Sequence, residues 1–431
     1  MPQPPIVPRS YALDILGSVL DRQTPLGEAL ENHKGLGELN RRDRAFVQLL
    51  ATTTLRHMGQ IDDTLGIALH MHRTKHKPEM RNLMRMGAAQ LLFVGTPPHA
   101  AVNTTLQLAD WRGIGGFKRL INAVLRKIAA DGEVMVTTQD APRVNTPDWL
   151  WNSWVAAYGE AATRAVATAH LSEPPLDLTC RTTPELWAQR LDADLLPSGS
   201  IRLAKAGRVT EIAGYDEGGW WVQDAAAALP ARLLGDVAGQ TVVDLCAAPG
   251  GKTAQLAAGG AMVMAIDRSA KRLARLRENL DRLRLAAELV ETDAAKGNPD
   301  KPVDAVLLDA PCTATGTIRR NPDVAWQRTP KDIKRNAAVQ NRLLANAVTM
   351  LKPGGRLVYC VCSLQPEECE ARIEALLTSG APVERIAVTA DEIGGLTEAI
   401  TPAGDMRTLP CQLGDRGGLD GFFAARLRRL A

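Results

Sequence analysis

Two cysteines stand where apolar runs give way to small or polar residues: Cys312 in Asp309-Ala310-Pro311-Cys312, and Cys362 in Tyr359-Cys360-Val361-Cys362-Ser363. Ligands of parallel α/β sheets bind beyond the carboxyl ends of strands, so thiols there are placed for nucleophilic chemistry. Residues 241–253, TVVDLCAAPGGKT, show the same pattern: a buried strand over 241–245, a small-residue turn over 247–251, then a helix start. Its glycines admit a ligand close to the backbone, and a helix N-terminus favours polar or anionic groups, which points to a nucleotide-class ligand. A phosphate-cradling loop, G-x-x-x-x-G-K-[ST], is matched only by Gly251-Lys252-Thr253, because Cys246 replaces its first glycine. The dinucleotide pattern G-x-G-x-x-G is absent. The third reading is a methyltransferase holding S-adenosylmethionine. The next apolar run, 262–266, ends on Asp267, where a carboxylate can accept from ribose hydroxyls or cap the following helix, two uses that can coexist. Asp293, after a strand over 287–290, can accept from an adenine amine or cap its loop.

The strand end at Asp309 speaks to the substrate. Methyltransferases acting on planar amines carry an Asn/Asp-Pro-Pro-aromatic turn there; this chain has a thiol where the ring would be. Cytosine C5 is not nucleophilic enough to take a methyl group directly. A thiolate adding to C6 makes C5 enamine-like, and the route then needs a partner near N3 and N4 and removal of the C5 proton.

The elements that position these residues follow from the rest of the chain. Its 431 residues suffice for roughly three domains. No apolar run approaches ~18 residues, which argues against a membrane span, and the first ten residues lack the pattern of a secretion signal. Seven cysteines, an odd number, do not form an evident disulfide framework, so the expected location is cytoplasmic. Net charge is only +3, but basic groups cluster early: Arg41, Arg42, Arg44; Arg73, Lys75, His76, Lys77; Lys118, Arg119, Arg126, Lys127. Such clusters are commonly solvated helix faces, yet several on one small helical domain favour phosphate contacts. Helical periodicity runs to about residue 130, and 131–145 reads as a polar linker. A smaller segment, 145–220, begins with a helix from 149 to 171 and continues with strands near 176–181, 201–203 and 209–212, a split β-α-β layer. Trp149, Trp151 and Trp154 read as core rather than base-stacking residues. Alternating strands and helices from 221 to 431 make a doubly wound sheet, with a late strand at 422–427 able to pair antiparallel.

VVDLCAAPGGKT, AIDRS, TDA, DAPCTATGTIRRNPD and YCVCSLQPEE resemble, in order and spacing, the RNA cytosine-C5 methyltransferases. RRDRAFVQLLATTTLRHMGQID, MRMGAAQLLF, PPHAAVN and FKRLINAVLRKI resemble the NusB-type RNA-binding domain, which narrows the likeness to the bacterial Sun/RsmB group. The resemblance implies three domains: an all-α NusB-like bundle over 1–135, a small RNA-contacting or linking α/β domain over 145–220, and a Rossmann-like methyltransferase domain over 221–431. It implies S-adenosylmethionine as methyl donor and 16S rRNA, naked or in an early assembly intermediate, as partner, the target being cytosine 967. By resemblance Cys362 is the nucleophile, Cys312 assists release of the methylated RNA, Asp309 holds the base and Lys252 contacts the site. Cys246, Ala247, Ala248, Pro249, Gly250, Gly251 and Lys252 line the donor, with Asp267 at its ribose and Asp293 at its adenine; Arg272 and Asp309 join this donor-binding group. Arg319-Arg320 are expected to add phosphate contacts.

Cys360 and Cys369 depart from the family pattern, which has one cysteine preceded by Thr at position 361 and Asn at 369. With Cys362 they lack metal-site spacing, so no metal is expected. No coiled-coil repeat appears, and a monomer is the simplest expectation. The alternatives are a tRNA cytosine-C5 methyltransferase and a non-enzymatic RNA-binding assembly factor.

Overall fold

The computed structural model describes residues 5–69, 77–204 and 207–431. Arg73, Lys75 and His76 of the second basic cluster lie outside them. The chain divides into two compact units, one of residues 1–172 with 318–328, the other of 173–317 with 329–431.

The first unit is helical. Helices Ile6–Leu20, Arg41–Arg56, Met58–Leu69, Pro78–Leu92, Pro98–Trp111 and Lys118–Thr137 turn their apolar faces inward onto one core, which includes Leu16, Leu50, Leu55, Ile61, Leu83 and Leu125. Local chemistry sets the boundaries: Asn40 caps its helix by accepting from the Asp43 N–H, and proline opens two others, where a missing N–H costs nothing. The expected linker at 131–145 is instead mostly helix, running to Thr137 and resuming as Ala141–Val144. Gly132 is no break: a Cβ there would come within 2.6 Å of Leu92, so it serves close helix packing.

Two further differences from the sequence reading arise here. Helix Asp148–Ala169, interrupted at Gly159 (φ 80°), belongs to this unit rather than opening the middle segment, and it buries Trp151 and Trp154. Residues 318–328 also belong here, although they follow the DAPC motif. Trp326 packs on the helical core and donates to the Leu55 carbonyl at 2.9 Å; Gln327 donates to the carbonyls of Val19 and Thr24; Asp323 accepts from the Leu26 N–H. Arg319 is only 1% exposed, a buried side chain rather than a surface phosphate contact.

The second unit holds two sheets. In the smaller, β1 (Leu176–Cys180), β2 (Asp194–Leu195), β3 (Ile201–Leu203) and β4 (Trp220–Val222) lie in the order β2-β3-β1-β4. β3 is antiparallel to both β1 and β2, and helix Pro184–Arg190 joins those two, which makes a split β-α-β unit. Residues 209–211 form a 3-10 turn and not the expected strand. A buried ion pair anchors this sheet: Arg202 grips Asp177 at 2.6 and 2.7 Å, and Asp177 also accepts from the Ala225 N–H.

The larger sheet comprises β5 (Thr241–Leu245), β6 (Met262–Asp267), β7 (Glu288–Glu291), β8 (Val303–Asp309), β9 (Leu351–Val361), β10 (Val383–Ile386), β11 (Met406–Thr408) and β12 (Phe422–Arg429). Its order is β10-β12-β9-β8-β5-β6-β7, with β11 on β12. β9, β8, β5, β6 and β7 are parallel, and β12 inserts antiparallel beside β9. The chain winds outward from β5 through β6 to β7, then returns to β8 on its other side. β5 and β8 thus flank the switch point where such sheets bind ligands. Among the described residues no helix is long and apolar enough to cross a membrane.

Candidate active site

Three neighbouring strand ends, of β5, β8 and β9, bring the expected residues together. After β5 the backbone takes positive φ at Cys246 (60°) and Gly250 (103°), then enters helix Gly251–Ala258. Gly250 is required twice over, by its φ and because a Cβ would press to 2.7 Å on Leu276. The turn is clamped at its base, where Thr253 Oγ1 donates to Asp244 Oδ2 at 2.6 Å. Sequence reading passed over this clamp.

Burial pushes the Asp244 carboxyl up to about 7, against the Thr253 bond and the Lys252 charge, which lower it. The unfolded carboxyl titrates near 3.8, so between these values the folded state binds more protons than the unfolded one. Asp244 therefore contributes stability that is full below the lower value and lost as pH rises through the upper one. Asp244→Asn keeps an acceptor for Thr253 and removes the titration. Its urea midpoint is expected to gain on the parent's progressively from about pH 4 to 7 and then run level; parallel curves for the two proteins would contradict this.

Asp267, 2% exposed at the end of β6, is heavily engaged. Its Oδ2 accepts from the Ala248 N–H at 3.2 Å and pairs with Arg272 at 3.0 Å, while Oδ1 accepts from the Ser269 N–H. Arg272 also donates to the Ala248 carbonyl, so it bridges the β5 turn and Asp267. A carboxylate offers about four acceptor positions, so these bonds leave room for a ribose hydroxyl. Asp293 is exposed, and its Oδ1 accepts from the Ala295 N–H at 3.0 Å, the loop-capping use. Carboxylates at the ends of β6 and β7 beside a small-residue turn fit the diol and amine of a nucleoside.

At β8, Lys252 Nζ donates to Asp309 Oδ2 at 2.7 Å and lies 4.9 Å from the centroid of the Phe422 ring. Burial alone would lower this ammonium, but Asp309, Cys360 and Cys362 raise it above the ordinary lysine range. It is a fixed cation. Cys360 stands opposite Asp309 in the β8–β9 register and points its thiol to Oδ1 at 3.7 Å. Cys312 and Cys362, both half-buried, meet with their sulfurs 3.5 Å apart.

The remaining nearby thiols are held protonated. Burial, then the charges of Asp309, Asp267 and Asp244, pushes Cys246 up to about 12. Burial and Asp309 push Cys360 well up, and burial does the same to Cys369. Cys369, in place of the family's Asn, donates to the Ser363 carbonyl at 3.4 Å. Contact with Cys362 and burial raise Cys312, which suits a proton-holding group. Gln340 and Glu368 support the cysteine turns and were not singled out from sequence. Gln340 donates to the Pro311 carbonyl at 2.9 Å; its place on a helix 28 residues beyond Cys312 gives no local signal.

Residues 231–428 match the family described as 16S rRNA methyltransferase RsmB/F, and residues 7–130 match the NusB family. The ribosomal RNA small subunit methyltransferase B of Pseudomonas putida is 37% identical, covering 98% of this chain and 99% of its own length. That of Pseudomonas syringae pv. tomato is 36% identical over 98% and 97%. Among solved structures, PH0851 shares the fold over 100% of both chains, at a TM-score of 0.76 and 22% identity. A methyltransferase homologue from Pyrococcus horikoshii covers 65% of this chain and 94% of its own, at a TM-score of 0.55 and 29% identity. On full-length identity above a third, with the helical and catalytic regions each matched in order, the chain belongs to the ribosomal RNA small subunit methyltransferase B family.

Proposed function

We propose that this protein methylates C5 of a cytosine in 16S rRNA, with Cys362 adding covalently to C6 of the base. The observation that carries this reading is the pair of sulfurs, Cys312 and Cys362, 3.5 Å apart at adjacent strand ends, with Cys362 within the field of Lys252.

S-adenosylmethionine supplies the electrophilic methyl group. The Cys362 thiolate forms a bond to C6, and the displaced electron pair makes C5 nucleophilic. Asp309, fixed by Lys252, holds the N3–N4 edge and favours that charge shift. Once C5 carries the methyl group, a water molecule takes the C5 proton, the C5–H electron pair reforms the 5,6 double bond, and the C6–sulfur pair leaves on Cys362. Cys312, in contact with Cys362, promotes this last step. The target base must leave its stack to enter such a site. Arg41, Arg42, Arg119 and Arg126, exposed on the helical unit, offer phosphate contacts to the surrounding RNA.

Asp267 should act on donor binding and not on chemistry. Asp267→Asn loses a charged acceptor and is expected to raise the KM for S-adenosylmethionine by roughly 10- to 100-fold, with a much smaller change in kcat. An unchanged KM would remove Asp267 from the donor site.

The reading is tested by incubating the protein and donor with deproteinised 16S rRNA, a small-subunit assembly particle, or bulk tRNA, followed by nucleoside mass spectrometry. 5-Methylcytidine from either ribosomal substrate supports it. Product only from tRNA would move the substrate assignment, and none from any RNA would leave an RNA-binding factor.

A further inference from the structure

The turns that carry the two cysteines converge on one buried carboxylate. Glu368 closes the 3-10 turn Pro366–Glu368 and is 0% exposed. Thr313, next to Cys312, donates its N–H to Oε1 at 2.9 Å and its hydroxyl to Oε2 at 2.5 Å. Ser363, next to Cys362, donates its hydroxyl to Oε2 at 2.6 Å, and Asn336 of helix Pro330–Met350 donates to Oε1 at 3.0 Å. Every partner is a donor, and a carboxylate has only acceptor positions to offer, so the set is complementary. The turn is itself pinned, because Tyr359 donates its hydroxyl to the Glu368 carbonyl at 2.6 Å. Arg407 holds the other side of Ser363, donating to its carbonyl at 2.9 Å.

We propose that Glu368 is the positioning residue of this site: its carboxylate ties the residue after Cys312 to the residue after Cys362 and so keeps the two thiols in contact. The inference rests on the two-cysteine reading of the active site. Backbone bonds from Ala310 to the Cys360 carbonyl and from Gly316 to the Cys362 carbonyl align the chains, both at 3.0 Å. Cys312 lies on the turn between those anchors and Cys362 at the second of them, and there the carboxylate sets the separation of the two thiols. Its charge has a second effect. After the Cys362 contact and burial, Glu368 adds to the upward push on Cys312 and helps keep that thiol protonated while Cys362 attacks.

The test is Glu368→Gln in the full chain. Glutamine preserves the shape but removes the charge, and its NH2 either meets the N–H donors of Thr313 and Asn336 or requires the Thr313 and Ser363 hydroxyls to turn round and accept. The expected kcat for methyl transfer falls about a hundredfold, as for an ångström-scale misplacement of reacting groups, while the KM for S-adenosylmethionine stays within about twofold. The second readout is geometric. Hydrogen peroxide converts the two thiols to one disulfide, with two waters released, and peptide mass spectrometry follows the Cys312–Cys362 bond. Its formation is expected to slow by about tenfold in the variant.

Unchanged kcat, or disulfide closure at the parent rate, overturns the proposal. Slower closure in a pair of proteins that both fail to methylate RNA upholds the positioning role and rejects the functional reading on which it was built. If Glu368→Gln does not fold, Thr313→Val and Ser363→Ala each delete one hydroxyl donor and retain the carboxylate. Each is then expected to slow closure by about threefold, and no slowing in either overturns the proposal.

Discussion

Cys362→Ser is expected to reduce 5-methylcytidine formation by on the order of 10⁴-fold or more, the scale on which enzymes lose an essential nucleophile. The substitution changes one atom at a half-buried position, where the sulfur meets Cys312 and the backbone carbonyl accepts from the Gly316 N–H. Donor affinity should therefore persist, and equilibrium binding of S-adenosylmethionine provides the control. Rate measured by nucleoside mass spectrometry decides the matter. Substantial activity in the serine variant would move the nucleophile elsewhere. Cys360 is not a ready substitute, since it is wholly buried, strongly held as a thiol and directed at Asp309.

Cys312→Ala should fail at a different step. Cys312 touches the Cys362 sulfur and is held protonated by that contact and by burial, which places it to assist the step in which Cys362 leaves the base. The variant is expected to complete one methyl transfer per enzyme and then stall, with multiple turnover slowed by roughly 10²-fold or more, the usual contribution of acid–base assistance. The stalled species is a protein–RNA adduct that survives denaturing electrophoresis. Equal loss of the first and later turnovers, with no adduct, would assign Cys312 to binding or structure instead.

The parts of the catalytic unit that could be read from sequence are those whose signal is local. β5, β6 and β8 are runs of β-branched and apolar residues closed by a candidate site residue, and their observed limits, Thr241–Leu245, Met262–Asp267 and Val303–Asp309, fall within a residue of the pattern. The helix Ala270–Leu283 was legible from Leu273, Leu276, Leu280 and Leu283, all buried. Less was visible where a distant partner decides the outcome. Asp131-Gly132 looks like a helix break until Leu92 is known to pack against Gly132. Residues 318–328 follow the catalytic motif in sequence, yet Trp326 and Gln327 find their partners at Leu55, Val19 and Thr24. Arg319 looked like a phosphate contact and is buried.

The candidate site divides along the same line. Cys312, Cys362, Asp309 and Lys252 stood out because their chemistry is unusual at strand ends, and the fold brings them together. Glu368 lay unremarked in a short acidic run, where charged residues ordinarily face solvent. Only the convergence of Thr313, Ser363 and Asn336 distinguishes it from Glu367, which is exposed. Asp244 likewise reads as a strand residue until Thr253 closes on it.

The most direct measurement is to trap the covalent step. Transcribed 16S rRNA carrying 5-fluorocytidine presents a base whose C5 fluorine cannot leave as a proton, so an adduct formed at C6 persists after methyl transfer. The complex would be digested and the modified peptide sequenced by mass spectrometry. The expected result is one donor-dependent adduct, with the cytosine bonded to Cys362. No adduct in the presence of donor, or a bond to Cys312 or Cys360, would contradict the account.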